Sequence, residues 1–238
     1  MGSSASLSSA ASRPKVTRKV LVLGLSGAGK TALVQSLSRM VSVGFPEVVN
    51  SGSNTVETAA GMSTAPFPFS DGTNGNHNNP APTKGVAMEE VAYSVFRFSF
   101  LEVGGVFRKY WGKYTDGVHG IAFIVDGSGG SDSRTLDDAA EALEEFLVGN
   151  AEARGWPIAV LVTKSDIDVH QGDDLCSQTA AFKEALAKRP LLVALGNSER
   201  RVFSVASFSN QVYSAVKAET DLRGAMDWFV HALLSAAE

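Results

Sequence analysis

Cys176 is the only cysteine among 238 residues, so no internal disulfide can form and the thiol reads as buried or idle. That usage fits a reducing, cytoplasmic compartment. The four histidines, His77, His119, His170 and His231, are scattered, and with a lone cysteine they give no zinc-ligand spacing. No apolar run reaches the length of a membrane span. A basic excess is missing as well. The formal charge of −4 argues against nucleic acid as the main partner. What remains is a chain with 44% hydrophobic residues, long enough to bury one full core.

Two stretches are poor in apolar anchors. Residues 2–12 carry six serines. Together with the residues up to 17 they are expected to form a flexible leader to a domain over 18–238. Residues 50–80 are rich in Asn, Gly, Ser and Pro, with only Glu57 and Asp71 charged. A run that long without periodicity predicts a disordered insertion, either a tolerated surface loop or a partner-binding segment through Phe67-Pro-Phe69.

The strongest positive signal is Gly24-Leu-Ser-Gly-Ala-Gly-Lys30-Thr31, which fits the G-x-x-x-x-G-K-[ST] pattern of a phosphate-binding loop. Its glycines let backbone N–H groups of Gly24, Ser26, Gly27, Ala28, Gly29 and Ala32 close around phosphate oxygens. Lys30 can place its ammonium on the outer phosphates, and Thr31 can offer a hydroxyl to Mg²⁺. The context agrees. Val20–Gly24 is a short apolar run, and Leu33, Val34, Leu37, Met40 and Val41 follow at helical spacing. The loop thus lies between a strand and a helix N-terminus, where the dipole favours anions.

The remaining pattern alternates. Val86–Tyr93 and Phe96–Leu101 read as strands joined by a tight turn. Ile121–Val125, Ile158–Val162 and Val202–Val205 read as further strands. Leu136 to Leu147, Phe182–Leu186 and Met226 to Leu234 carry helical spacing. This predicts an α/β fold with a mostly parallel six-stranded sheet, one antiparallel edge strand and helices on both faces.

Thr163-Lys164-Ser165-Asp166 follows the Ile158–Val162 strand, at the sheet edge where such folds bind ligands. Asp166 can accept two hydrogen bonds from the N1–H and N2–H₂ edge of guanine, a donor pair that adenine lacks. The Lys164 stem can lie along the base. The tetrapeptide resembles the Asn-Lys-x-Asp motif of small GTPases, with Thr163 in place of Asn. Ser204-Val205-Ala206-Ser207 resembles the last motif of that group, in which a backbone N–H, here that of Ala206, meets the guanine O6.

The resemblance narrows at the switches. Pro82-Thr83-Lys-Gly85-Val-Ala-Met-Glu89-Glu-Val91 resembles the Arf-type Pro-Thr-x-Gly-x-x-x-Glu-x-Val switch. Glu102-Val-Gly104-Gly105 resembles the Asp-Val-Gly-Gly that opens switch two, nineteen residues after Thr83. Trp111-x-x-Tyr114, Gly120 to Asp126 and Gly224-Ala-Met-Asp227-Trp228 match too. The chain is identified as similar to the ADP-ribosylation-factor-like (Arf/Arl) small GTPases, and within them to the divergent sixteenth Arl type. The likeness covers residues 18–49, 81–207 and 224–236, without the 50–80 stretch.

That likeness implies a P-loop small-GTPase fold, GTP/GDP and Mg²⁺ as ligands, and a switch that binds effectors in membrane or ciliary traffic. It makes Thr83 the second hydroxyl on Mg²⁺ and Glu102 a metal partner through water. It sets the Gly105 N–H toward the γ-phosphate. Its effector surface falls near Val86, Leu101 and Tyr114, two of which lack the usual ring. Activating and exchange proteins are further implied partners. Three departures bear on hydrolysis. Glu102 replaces aspartate, Val106 stands where a glutamine orients the attacking water, and switch two is two residues shorter. No side chain is therefore assigned as catalytic. Slow or deficient hydrolysis is the leading expectation. A GTPase completed by an activating protein and a nucleotide-bound scaffold are alternatives. A metabolite kinase is disfavoured by residues 163–166.

Met1-Gly2-Ser-Ser-Ala-Ser6 fits the myristoylation pattern at Gly2, and Arg13, Lys15, Arg18 and Lys19 could add attraction to anionic lipid. The same start is common in recombinant leaders. A C-terminal prenylation cysteine is absent.

Overall fold

The computed structural model describes residues 16–43, 85–128, 133–164, 177–194, 200–205 and 212–236. The expected sites at Gly2, Thr83, Asp166 and Ala206, the thiol of Cys176 and the stretches 2–12 and 50–80 lie outside them. In chain order come β1 (Val16–Leu23), α1 (Lys30–Val43), β2 (Val86–Tyr93), β3 (Phe96–Val103) and β4 (Val118–Asp126). Next are α2 (Ser133–Gly149), β5 (Ile158–Thr163), α3 (Ser177–Ala187), α4 (Pro190–Ala194), β6 (Arg200–Ser204) and α5 (Val212–Ser235). Two 3-10 segments, Gly105–Tyr114 and Ala151–Gly155, join them.

The six strands form one sheet in the order β2-β3-β1-β4-β5-β6. Only β2 runs antiparallel, in register with β3 from Val86↔Val103 to Tyr93↔Phe96. The expected architecture is therefore the observed one. β1, β4 and β5 read as continuous apolar runs because helices cover both of their faces. Alternate residues go to opposite cores. Val20 and Val22 pack with Phe96, Phe98 and Phe100 under α1 and α5. Leu21 and Leu23 pack with Phe123, Val160 and Trp111 under α2 and α3.

Several boundaries differ from expectation: β3 runs on to Val103, β4 spans Val118–Asp126, and α5 begins at Val212. β1 starts at Val16, so Val16 and Thr17 are strand rather than leader. They are exposed and polar-flanked, and their order comes from pairing with Phe96 and Arg97 of β3, a partner distant in sequence. Arg18 and Lys19 of the expected basic cluster lie in this strand. Lys19 donates from Nζ to the Asp116 carbonyl at 2.7 Å, and Arg18 lies over the Phe96 ring at 5.1 Å. β6 is shifted, running Arg200–Ser204, with Val205 just beyond it. Among the described residues no helix is long and apolar enough to cross a membrane.

Candidate functional site

β1 ends at Leu23, and the chain turns through residues 24–29 before α1 begins at Lys30. The turn needs glycine. Gly24 has φ +146°, and a Cβ there would lie 2.2 Å from the Ile124 carbonyl oxygen of β4. Ala28 N donates to Leu25 O at 3.4 Å, and Leu33 N donates to Gly29 O at 2.9 Å to open the α1 ladder. The N–H groups of the first turn, including that of Ala32, have no helical acceptor of their own. Ser26 and Gly27 are exposed at the rim, while Ala28 is buried.

Lys30 is buried at 5% exposure, and its Nζ donates to the Gly24 and Leu25 carbonyls, both at 2.9 Å. Burial pushes its pKa down, and the nearby Glu102 charge pulls the other way. The ammonium is thus wrapped by loop carbonyls beside a carboxylate. Next to it, the Thr31 hydroxyl donates to Glu102 Oε1 at 2.7 Å. Glu102 is itself buried near the end of β3, at 3% exposure. Its extra methylene does not keep it from the hydroxyl. A hydroxyl oxygen next to a buried carboxylate suits a hard divalent cation.

Gly105 follows three residues later and lies directly on the loop. A Cβ there would meet Ser26 N at 2.3 Å and Leu25 C at 2.5 Å. Gly104 N donates to Gly85 O at 3.0 Å, so the stretch after Thr83 and the start of switch two meet beside the loop. Val106 points elsewhere. It is 61% exposed and lines a cavity of about 710 Å³ between the 105–114 segment and α2. None of residues 24–31 lines that cavity.

On the other flank, Thr163 is buried, and its hydroxyl lies 2.9 Å from Ala28 O and 3.0 Å from Val125 O. It can donate to one at a time. The missing amide of the usual Asn is thereby partly replaced, because the hydroxyl still ties β5 to the loop. Lys164 takes a left-handed φ of +57° and donates from Nζ to Gly27 O at 3.0 Å. Val205 is fully buried and pinned by its N–H to Val162 O at 2.8 Å. The described residues therefore bring together 24–32, Glu102, Gly105, Thr163, Lys164 and Val205 along the carboxyl ends of β1, β3, β5 and β6.

The expected effector positions divide. Val86 is exposed, whereas Leu101 and Tyr114 are half-buried and pack against the core. Met88 was not singled out from the sequence. It stands opposite Leu101 in the β2–β3 register and is 66% exposed. Its position two residues after Val86 in a strand was the available signal. Asp126, at the end of β4, belongs to the Gly120 to Asp126 match, and no local pattern signals its contacts.

Comparison with known proteins adds the family. ADP-ribosylation factor-like protein 1 of Drosophila melanogaster is 27% identical over 221 residues, 91% of this chain and 89% of that protein. ADP-ribosylation factor-like protein 3 of Saccharomyces cerevisiae is 28% identical over 149 residues, 62% of this chain and 59% of the relative. ADP-ribosylation factor-like protein 9 of Homo sapiens is 30% identical over 153 residues, 63% of this chain and 60% of the relative. The chain thus spans about three fifths of the yeast and human relatives. The Arl6 BBS3 small GTPase of Trypanosoma brucei, solved with the nucleotide analogue GppNp bound, shares the fold. Its TM-score is 0.55 at 14% identity, covering 93% of this chain and 99% of that one. The model of the ADP-ribosylation factor family matches residues 58–231, a span that begins after the phosphate loop and takes in both β2–β3 and the 163–166 turn. The chain therefore belongs to the ADP-ribosylation factor family of small GTPases.

Proposed function

We propose that this chain binds GTP and GDP with Mg²⁺ at the 24–31 loop and acts as an Arf-like switch whose intrinsic hydrolysis is slow or deficient. The observation that carries the reading is the meeting of Lys30, Thr31, Glu102 and Gly105 on one glycine loop. Each supplies something a triphosphate uses. Lys30 exchanges loop carbonyls for phosphate oxygens and gains charge pairing. The Gly105 N–H, held against the loop, would donate to the outer phosphate. Thr31, Thr83 and, through water, Glu102 would hold Mg²⁺, which would supply charge neutralisation to the phosphates. Thr163, Lys164 and Asp166 would take the base, and the Ala206 N–H after Val205 would meet the guanine O6.

Hydrolysis needs a water held in line with the outer phosphate. Val106 has no donor or acceptor, and its side chain lines the cavity against α2. An activating protein that supplies the missing group in trans is the second reading. The Lys30–Thr31–Glu102 set that would bind the nucleotide is present for such a protein to complete. The run Glu102-Val103-Gly104-Gly105 supports placing the chain near the sixteenth Arl type.

The output would be nucleotide-dependent effector binding. Val86 and Met88, exposed on β2 with Met88 opposite Leu101, would form the surface for it together with Tyr114. Effectors in membrane or ciliary traffic are the partners the family likeness suggests. A peripheral membrane attachment through Gly2 fits that role. Single-turnover hydrolysis, with and without candidate activators, tests the proposal. Slow turnover that only an activator accelerates supports the second reading. Rapid turnover by the chain alone would sink the claim of a deficient switch two.

A further inference from the structure

Asp126 is the last residue of β4, the strand between β1 and β5. Its backbone pairs in register with Thr163. It therefore stands at the sheet edge between the phosphate loop, which follows β1, and the Thr163–Lys164 turn, which follows β5. Its two carboxylate oxygens have separate tasks. Oδ1 accepts from Ser128 N at 2.9 Å and Ser128 Oγ at 2.6 Å, closing a local turn. Oδ2 accepts from Lys164 Nζ at 2.6 Å. The same ammonium reaches Gly27 O at 3.0 Å. Burial works against the carboxylate, yet hydrogen bonds from Lys164 and Ser128 and the Lys164 charge outweigh it and keep the acid ionised.

We propose that Asp126 is a positioning residue that fixes Lys164 between β4 and the Gly27 carbonyl, braces the base-side turn against the phosphate loop, and so sets how long a guanine nucleotide stays bound. This rests on the reading of residues 24–31 and 163–166 as one nucleotide site. The physical case is the geometry of Lys164. Its left-handed backbone is unfavourable for a residue with a Cβ. Its ammonium is a compact point charge on a flexible stem, which does not hold itself in place. With Oδ2 gone, the stem loses the anchor that lays it along the base, and the link to Gly27 loosens with it. Both ends of the site relax together, so release of di- and triphosphate should change alike.

The test separates the two oxygens. Asp126→Asn keeps an acceptor for the Ser128 turn and removes the charge that holds Lys164, while Asp126→Ala removes both. Release of fluorescent GDP and GTP analogues is measured by stopped flow for each variant, for Lys164→Met and for the double variant Asp126→Asn/Lys164→Met. Thermal unfolding of the nucleotide-free proteins is followed alongside. The expected result is release about ten-fold faster in Asp126→Asn for both nucleotides, with nucleotide-free unfolding little changed. Asp126→Asn should add nothing once Lys164 is Met. Asp126→Asn releasing at the unmodified rate while Asp126→Ala alone is fast would mean that Asp126 only shapes the turn, which overturns the proposal. Independent, multiplying effects of Asp126→Asn and Lys164→Met would overturn it too. Failure of the unmodified protein to bind either analogue would instead refute the nucleotide-site reading beneath it.

Discussion

Lys30 is placed for a phosphate to complete its shell. Its ammonium is buried, its pKa is pushed down by that burial against the pull of Glu102, and its hydrogen bonds go to neutral carbonyls of its own loop. Lys30→Ala should leave the fold standing and largely abolish stabilisation by nucleotide in a thermal-shift assay. An undiminished shift would place the ligand elsewhere. Asp166 lies outside the described residues, and its expected role is chemical. Asp166→Asn turns a charge-assisted two-point contact to guanine into a mismatched neutral one, costing about 2 kcal/mol or more of GTP affinity. Competition with GTP, ATP and XTP reads that loss as a change in base preference. At Val106 the expectation is a gain. Intrinsic hydrolysis should run no faster than roughly 10⁻⁴ per second, and Val106→Gln should raise it, since positioning of water is the missing function. Because Val106 lines the cavity against α2, the new amide must turn toward the loop to act. No gain at all would assign the defect to Glu102 or to the shortened segment.

Among the elements, the 3-10 segment Gly105–Tyr114 does the most to shape the site and was the least legible beforehand. Phe107, Tyr110, Trp111 and Tyr114 carry the spacing of a regular helix, yet the segment is 3-10 and its backbone departs from helical angles at Phe107. Its shape comes from Trp111, buried against Phe123 and Phe146, and from Gly105 seated on the loop. Gly105→Ala would push a Cβ into backbone atoms of Leu25 and Ser26, which cannot swing aside. It should cost about 1–3 kcal/mol in urea unfolding of the nucleotide-free protein. Gly112→Ala in the same segment meets only the Asn150 side-chain amide, at 2.8 Å, and should cost clearly less. Equal stability of the two variants would mean that the segment does not sit on the loop. The strands, by contrast, were readable. β2, β4 and β5 carry apolar runs or alternation long enough to announce themselves. The short α4 carries only the brief run Leu191–Ala194 and the 151–155 turn carries none, and long-range packing decides them. The ion pair of Asp126 with Lys164 spans 38 residues, so no local pattern could reveal it.

Over the whole molecule, the phosphate loop and the glycines of switch two were visible because nucleotide chemistry constrains residue type at fixed spacing. What the sequence left unseen was how those pieces meet. The sheet order brings β1, β3 and β5 to one edge, and that order is set by pairing between strands distant in the chain. Binding to this edge should stabilise the folded protein by mass action, by about 2.7 kcal/mol at a ligand concentration a hundred times Kd. The most direct test of the account is isothermal titration of nucleotide-stripped protein with GTP, GDP and ATP, with and without Mg²⁺. The account predicts one guanine nucleotide per chain, bound far more tightly than ATP and more tightly still with Mg²⁺. Equal affinity for ATP and GTP, or no binding to either, would contradict it.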